Sequence, residues 1–123
     1  MKKDIIYNKS CVLMNDIIDE SIRLIITSPP YFNAKNYDHQ DQIGLSSNSY
    51  AKYISSMNPV WKECFRVLKP NGKLCINSPI LPMDKKTMNT HHNRDYLNIN
   101  NDIENNILNT TDFFCYDFII WDI

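Results

Sequence analysis

The chain is poor in several features that mark common kinds of protein. Its 123 residues include only two glycines, Gly44 and Gly72, and neither stands in a glycine-rich ligand-binding loop. The four cysteines lie far apart, with no Cys-x-x-Cys pair, so we expect free thiols in a reducing cytosol rather than a disulfide framework. No apolar run approaches the roughly 20 residues of a membrane span. These absences predict a cytoplasmic protein that does not cross a membrane.

The charge of the chain is nearly balanced, and a metal-ligand pattern is missing. The sequence has 13 Lys and Arg against 14 Asp and Glu, for a net charge of −1. Proteins that hold duplex nucleic acid usually cluster basic residues, whereas only Lys2-Lys3 and Lys85-Lys86 are adjacent here. The basic surface therefore lies elsewhere, or the chain does not hold nucleic acid by itself. A zinc site on His91-His92 with a cysteine is conceivable, but the ligand spacing is wrong and no metal is predicted.

The order of predicted elements is that of an α/β fold in a single domain. Arg23 to Thr27 is predicted to be a buried strand, because it is a compact apolar run. A helix with apolar residues at three- and four-residue steps starts at Ser49, and Pro59 kinks or divides it. A tight turn at 69–72 leads to a strand at 73–77, which completes a βαβ unit with a parallel strand pair. Further predicted elements are strands at 5–7 and 115–121, a helix or turn at 16–22, and a helix at 99–108.

The most informative stretch follows the first strand of this unit, and we call it the corner (residues 28–31). Ser28, Pro29, Pro30 and Tyr31 combine a hydroxyl, a stiff backbone and an aromatic ring at the end of a strand. Each proline fixes its own φ and lacks an N–H, and Pro30 also holds Pro29 extended. Stiff carbonyl acceptors beside a stacking ring suit a flat ring that bears an exocyclic amine. The alternative is that the two prolines only terminate the strand.

The corner resembles the catalytic loop of amino-methylating DNA methyltransferases, which act on N4 of cytosine or N6 of adenine. Residues 6–11, 60–74 and 116–122 resemble further segments of this family, in the order of its permuted class, where the catalytic loop comes first. The resemblance implies a partial Rossmann-like, S-adenosylmethionine-dependent fold with a mainly parallel sheet and flanking helices. It also implies that residues 1–123 are the N-terminal, catalytic-loop part of a methyltransferase domain.

The resemblance assigns roles to individual side chains. Ser28 and the carbonyl of Pro29 would accept hydrogen bonds from the amine of a flipped-out base, and Tyr31 would stack on that base. A serine at position 28 favours cytosine N4 over adenine N6 in this family. The base pocket would be bordered by Phe32, which is equally expected as a core residue, and by Asn77 and Ser78.

The implied cofactor is S-adenosylmethionine, the methyl donor. Ser10 and Cys11 match the family's segment near the cofactor adenine, but Lys9-Ser10 stands where Gly-Asp is usual, so an acidic acceptor is missing. The family's Phe-x-Gly-x-Gly loop and target-recognition region, which would follow the corner, are missing too. We therefore expect a DNA methyltransferase domain of a restriction–modification system, cut short and inactive alone.

An incomplete sheet leaves an apolar strand edge that promotes association. The resemblance implies DNA as a partner, and the unpaired edge predicts either a second chain that carries the remaining half or self-association. The competing interpretation is a non-catalytic remnant or an interaction module that keeps the fold. RNA and protein-glutamine methyltransferases have similar Pro-Pro-Tyr loops, but they usually place the cofactor half first, and too little chain precedes Ser28.

Overall fold

The computed structural model describes residues 4–33, 35–44, 49–82 and 96–122. The first strand is followed by two helices and a second strand, and the two strands pair in parallel. Two short strands that pair antiparallel come next and lead into the last helix. The α/β class is therefore confirmed, with a parallel sheet of two strands in the described part. In chain order the elements are β1 (Ile22–Thr27), α1 (Tyr50–Ser56), α2 (Asn58–Val67), β2 (Leu68–Ile76), β3 (Ile80–Pro82), β4 (Tyr96–Asn98) and α3 (Ile99–Thr110).

Strand β1 is buried on one face only. Its β-branched residues favour the extended conformation, and Ile25 packs against the core. On the opposite face, the side chains of Leu24 and Ile26 are 51% and 74% exposed. Among the described strands, only β2 pairs with β1. The prediction of a buried strand is therefore wrong for this face, because nothing in the described part covers it.

The predicted turn at 69–72 lies inside strand β2, where it forms a bulge of extra residues. Ile22 pairs with Leu68 and Leu24 with Lys73, so two steps along β1 (22 to 24) correspond to five along β2 (68 to 73). A Cβ on Gly72 would lie 2.8 Å from the carbonyl oxygen of Lys69. The absence of a side chain at Gly72 lets the extra residues fold back tightly before regular pairing resumes.

The predicted helix is divided where Pro59 indicated. Ser49 caps α1, since its hydroxyl oxygen accepts a hydrogen bond from the backbone N–H of Lys52 at 3.2 Å. Helix α1 ends at Ser56 and helix α2 begins at Asn58, so Met57 is the single cap residue between them. Pro59 falls in the first turn of α2, where a backbone N–H has no partner inside the helix in any case, so proline costs no hydrogen bond there. One amphipathic pattern thus becomes two consecutive helices.

The core lies between the helices and the inner faces of the strands. Helix α3 contributes Ile99, Ile103 and Ile107, whose four-residue spacing puts them on one face. The predicted helix at 99–108 is therefore confirmed and extends to Thr110. At the centre, Trp61 is completely buried. The buried cluster comprises Phe32, Tyr50, Tyr53, Met57, Val60, Trp61, Cys64, Leu97, Ile99, Ile103 and Ile107.

Two predicted strands are wrong. Residues 5–7 and 115–121 have no strand assignment, and their apolar side chains point to solvent, as Trp121 does with 77% exposure. Both segments have strand-forming composition, but in the described ranges neither finds a neighbouring strand to pair with. The 16–22 segment is made of turns that lead into β1 at Ile22. The predicted features Lys85-Lys86 and His91-His92 lie outside the described residues.

No helix in the described ranges has the length and apolar character needed to cross a membrane.

Candidate active site

The corner lies beyond the carboxyl end of β1, next to the end of β2. The backbone N–H of Asn77 donates to the carbonyl oxygen of Thr27 at 2.9 Å, which continues the strand pairing to the last residue before the corner. The side chain of Ser28 is exposed, Pro29 is buried, and Pro30 and Tyr31 are half-buried. Parallel strands thus place the corner at the sheet edge where open α/β folds bind ligands.

Asn77 contacts both ends of the corner through long hydrogen bonds. Its side-chain amide donates to the hydroxyl oxygen of Ser28 at 3.4 Å, and its carbonyl oxygen accepts from the Tyr31 hydroxyl at 3.4 Å. Bonds of this length are weak. The Ser28 oxygen and the Tyr31 ring are therefore held near one another, but either can turn towards a ligand at small cost.

A strong hydrogen bond fixes the middle of the corner from the buried side. The hydroxyl of Tyr53, on α1, donates to the carbonyl oxygen of Pro30 at 2.8 Å. Burial, with a smaller contribution from nearby Tyr31, raises the pKa of Tyr53 to about 12, so the phenol stays protonated and keeps donating at neutral pH. In contrast, no residue in the described ranges donates a hydrogen bond to the carbonyl of Pro29.

Phe32 lies in the core, which is one of the two roles that the sequence left open for it. Its side chain is 5% exposed. Its ring centroid lies 5.3 Å from that of Tyr50 and 5.6 Å from that of Tyr53. These contacts pack the ring into the core. Strand periodicity does not decide this point, because Phe32 lies in the irregular segment after the corner.

Ser78 follows Asn77 but makes different contacts. Its half-buried hydroxyl donates to the side-chain oxygen of Asn100, on α3, at 3.0 Å. This hydrogen bond joins the end of β2 to the last helix. The structure therefore brings Asn77 to the corner and ties Ser78 to α3.

The segment with Ser10 and Cys11 is attached to α2. Both side chains are exposed, and no hydrogen bond within the described ranges joins them to the corner. Further along this segment, the backbone N–H of Met14 donates to the carboxylate of Glu63 at 2.6 Å. The guanidinium of Arg66 in turn donates to the carbonyl oxygen of Met14 at 3.0 Å.

Arg66 fastens this N-terminal segment to the helix. Its guanidinium also contacts the carboxylates of Glu63 and Asp19 and the carbonyl of Ile17. The hydrogen bond from Arg66 is the main cause that holds the pKa of Glu63 below its usual value. Sequence reasoning missed this clamp, since a charged residue on an amphipathic helix is usually just solvated.

The described residues do not form a cradle for S-adenosylmethionine. A glycine-rich loop needs glycines whose backbones face a ligand, but both glycines pack against protein atoms. A Cβ on Gly44 would lie 3.2 Å from the ring of Tyr53, and one on Gly72 would meet the carbonyl of Lys69. The described ranges also contain no group of three or more His, Cys, Asp or Glu side chains that could hold a metal ion.

Comparison with known proteins identifies the family. A family model described as DNA methylase, for N6 and N4 methylation, matches residues 22–122, which include the corner, both strands of the parallel pair and the three helices of the described ranges. The chain belongs to this family. The amino-methylating resemblance is therefore confirmed, and the family uses S-adenosylmethionine as methyl donor.

Individual relatives are similar to this chain over about half its length. It is 36% identical over 59 residues to the type II methyltransferase M.SfiI of Streptomyces fimbriatus, which is 48% of this chain and 14% of that protein. It is 39% identical over 57 residues to M.Cfr9I of Citrobacter freundii, covering 46% and 19%. It is 38% identical over 71 residues to M.MjaVI of Methanocaldococcus jannaschii, covering 57% and 32%.

The matched regions thus span between about a seventh and a third of these three relatives' own lengths. No solved structure gives a significant match.

Proposed function

We propose that residues 1–123 are the catalytic-loop part of a site-specific DNA methyltransferase of a restriction–modification system. The observation that carries this proposal is the pair of acceptors at the corner, which lies within the family match. The Ser28 hydroxyl is exposed, and the carbonyl of Pro29 has no donor within the described ranges, whereas that of Pro30 already accepts from Tyr53. Two acceptors beside a half-buried tyrosine ring suit a base with an exocyclic amine.

The chemistry requires acceptors because the amine is a poor nucleophile. Its lone pair is delocalised into the base ring, and hydrogen bonds from its two N–H groups to Ser28 and Pro29 favour a pyramidal nitrogen. With S-adenosylmethionine bound by the completed enzyme, the nitrogen would take its methyl group while the sulfur leaves as a thioether with the electron pair of the broken C–S bond. The oxygens of Ser28 and Pro29 would stabilise the positive charge that the nitrogen gains, until one of its protons is lost to solvent. Each such preorganised contact lowers the activation free energy by on the order of 3 kcal/mol.

Tyr31 is proposed to hold the base after it leaves the duplex. A base inside the helix cannot reach the corner, and extruding it costs a few kcal/mol. Stacking on an aromatic ring recovers roughly 1–3 kcal/mol per base. The ring of Tyr31 is only half-buried and is steadied by its weak hydroxyl contact with Asn77. Ser28, a hydroxyl where a carboxylate is common in adenine-specific relatives, favours cytosine N4 over adenine N6 as the target.

Activity is proposed to need more polypeptide than the described part. The second edge of β1 has no described partner, and Leu24 and Ile26 expose an apolar face beside it. Neither glycine is available for the cofactor. We propose that polypeptide bearing a glycine-rich loop completes the sheet, as a second chain, or that copies of this chain associate through the edge. A stable monomer by size-exclusion chromatography with light scattering would contradict self-association. An unchanged molar mass of the chain in the presence of the added polypeptide would contradict the second chain.

The deciding experiment is transfer of labelled methyl groups to DNA. The 123-residue chain is assayed alone and with the polypeptide encoded next to it, and the modified base is identified by mass spectrometry. We expect N4-methylcytosine only in the combined sample. The variant Ser28→Ala in the same mixture serves as the control. Methylation at wild-type rate in that variant would refute the assignment of the corner, and N6-methyladenine would refute the cytosine preference.

A non-catalytic role is the second candidate. The observation that favours it is that both glycines are packed against protein, so the described ranges offer no glycine-rich cradle for the methyl donor. A remnant of this kind would transfer no methyl groups with any added polypeptide. It would also tolerate Ser28→Ala without effect in any binding assay.

A further inference from the structure

Tyr53 is a buried residue that acts directly on the backbone of the corner. It lies on the inner face of α1, and its side chain is 1% exposed. Its hydroxyl donates to the carbonyl oxygen of Pro30 at 2.8 Å, the usual length of a well-formed O–H···O hydrogen bond. By comparison, the contacts from Asn77 to the two ends of the corner are both 3.4 Å long.

This hydrogen bond determines how the following peptide unit is oriented. The peptide between Pro30 and Tyr31 is planar, so the direction of the Pro30 carbonyl also sets the direction of the Tyr31 N–H and the start of its side chain. Proline fixes φ but not ψ. Rotation about ψ of Pro30 is thus the main freedom left in the corner, and the Tyr53 hydroxyl restricts it.

We infer that Tyr53 is a positioning residue for methyl transfer: it holds the Pro30 carbonyl on the buried side, so that the Pro29 carbonyl and the Tyr31 ring face the target base. This inference rests on the function proposed above. Without the hydroxyl, the Pro30 carbonyl can rotate towards the ligand side, where it would compete for the amine and shift the ring. Misplacement of reacting groups by about 1 Å is enough to reduce a rate about 100-fold.

A merely structural role for the hydroxyl predicts a different outcome, and Tyr50 allows the two to be separated. Tyr50 lies on the same helix and is also buried, and its ring packs against Phe32 as that of Tyr53 does. Its hydroxyl, however, donates to the carboxylate of Asp102, on α3, at 2.8 Å, away from the corner. Each Tyr→Phe variant removes one buried hydroxyl and keeps the ring, so the two changes are matched in chemistry.

The first test does not depend on catalysis. The 123-residue chain is labelled with ¹⁵N, and the amide resonance of Tyr31 is compared among the wild type, Tyr53→Phe and Tyr50→Phe. We expect Tyr53→Phe to shift this resonance and Tyr50→Phe to leave it in place, with both variants retaining the dispersed spectrum of a folded protein. An unchanged Tyr31 amide in Tyr53→Phe would overturn the inference.

The second test measures methyl transfer in the combined enzyme. We expect Tyr53→Phe to lower the single-turnover rate about 10- to 100-fold at saturating DNA, with DNA affinity unchanged and with Tyr50→Phe close to wild type. Equal losses of rate in the two variants would overturn the inference. If the wild-type mixture transfers no methyl groups, the proposed function fails, while the amide comparison still decides whether Tyr53 orients the corner.

Discussion

The side-chain amide of Asn77 donates to the hydroxyl oxygen of Ser28 at 3.4 Å, across the ends of two parallel strands. Each residue comes directly after the last register pair, Thr27 with Ile76, so strand pairing alone brings the two together. Because the bond is long and weak, Asn77 orients the serine side chain while the hydroxyl oxygen can still accept another hydrogen bond. Ser28 is thus oriented and still available to a ligand.

Replacement of Ser28 by alanine is expected to reduce methyl transfer about 100-fold, because one acceptor worth on the order of 3 kcal/mol is lost at the amine. The rate is measured under single-turnover conditions with the combined enzyme. Ser55→Ala is the control, since that hydroxyl lies on the surface of α1 and donates only to the carbonyl of Lys52. A Ser28→Ala enzyme as fast as Ser55→Ala would show that the serine has no part in the reaction.

Replacement of Tyr31 separates stacking from hydrogen bonding. We expect Tyr31→Ala to lose roughly 1–3 kcal/mol of transition-state stabilisation, the value of one base stacked on a ring. Tyr31→Phe should keep most of the activity, since its only loss is a weak contact with Asn77. The quantity compared is kcat/KM on a DNA that the wild type methylates. Tyr37→Ala, at an exposed ring, is the control, and equal activity of Tyr31→Ala and Tyr31→Phe would contradict stacking.

The corner was predictable from sequence because its geometry is local. Two consecutive prolines after an apolar strand fix both of their φ angles and hold the first proline extended, whatever lies around them. The division of the helix at Pro59 was predictable for the same reason. The contact between Tyr53 and Pro30 was not, because the two residues are 23 positions apart and meet only through the docking of α1. The available signal was a phenol at a core position, which needs a hydrogen-bond partner when it is buried.

The wrong predictions share a physical cause. The segment 115–121 has strand-forming residues, but a strand exists only when a neighbour pairs with it, and local composition contains no information on that neighbour. Leu24 and Ile26 likewise have the character of buried residues and are exposed because the strand is covered on one side only. Phe32 could not be assigned from sequence, since core and ligand-facing aromatic residues look alike.

The ion pair between Glu63 and Arg66 makes folding stability depend on pH. The pKa of Glu63 is lowered in the folded state from its usual value of 4.5, mainly by the hydrogen bond from Arg66. The stabilisation is therefore complete above the unfolded-state pKa and is lost as the pH falls through the lower folded-state pKa. Between about pH 6 and pH 3, we expect the thermal midpoint of Glu63→Gln to fall less than that of the wild type.

Circular dichroism at the two pH values measures these midpoints. Asp41→Asn, which changes an exposed carboxylate in a loop, is the control and should follow the wild type. If Glu63→Gln also follows the wild type, the ion pair contributes no pH-dependent stability.

The four cysteines should differ sharply in reactivity. Cys64 is buried in the core, and burial raises its pKa to about 12, so thiolate is scarce and shielded at neutral pH. Cys11, Cys75 and Cys115 are exposed. A disulfide reagent such as Ellman's reagent is expected to modify three thiols in the native chain and all four after denaturation.

The variant Cys64→Ala identifies the protected thiol. It should give the same native count as the wild type and one fewer thiol after denaturation. A native count that falls in Cys64→Ala would mean that this part of the core opens to solvent.

The bond between Ser28 and Asn77 spans 49 positions of the sequence, and the one between Tyr53 and Pro30 spans 23. A partly folded chain therefore has no recognition surface at residues 28–31, however well its local backbone is preset. A molecule that binds there binds only the folded chain. By mass action it therefore raises the free energy of unfolding of the whole domain, and its melting temperature with it. Ligand occupancy at residues 28–31 and folding of the domain are therefore thermodynamically linked.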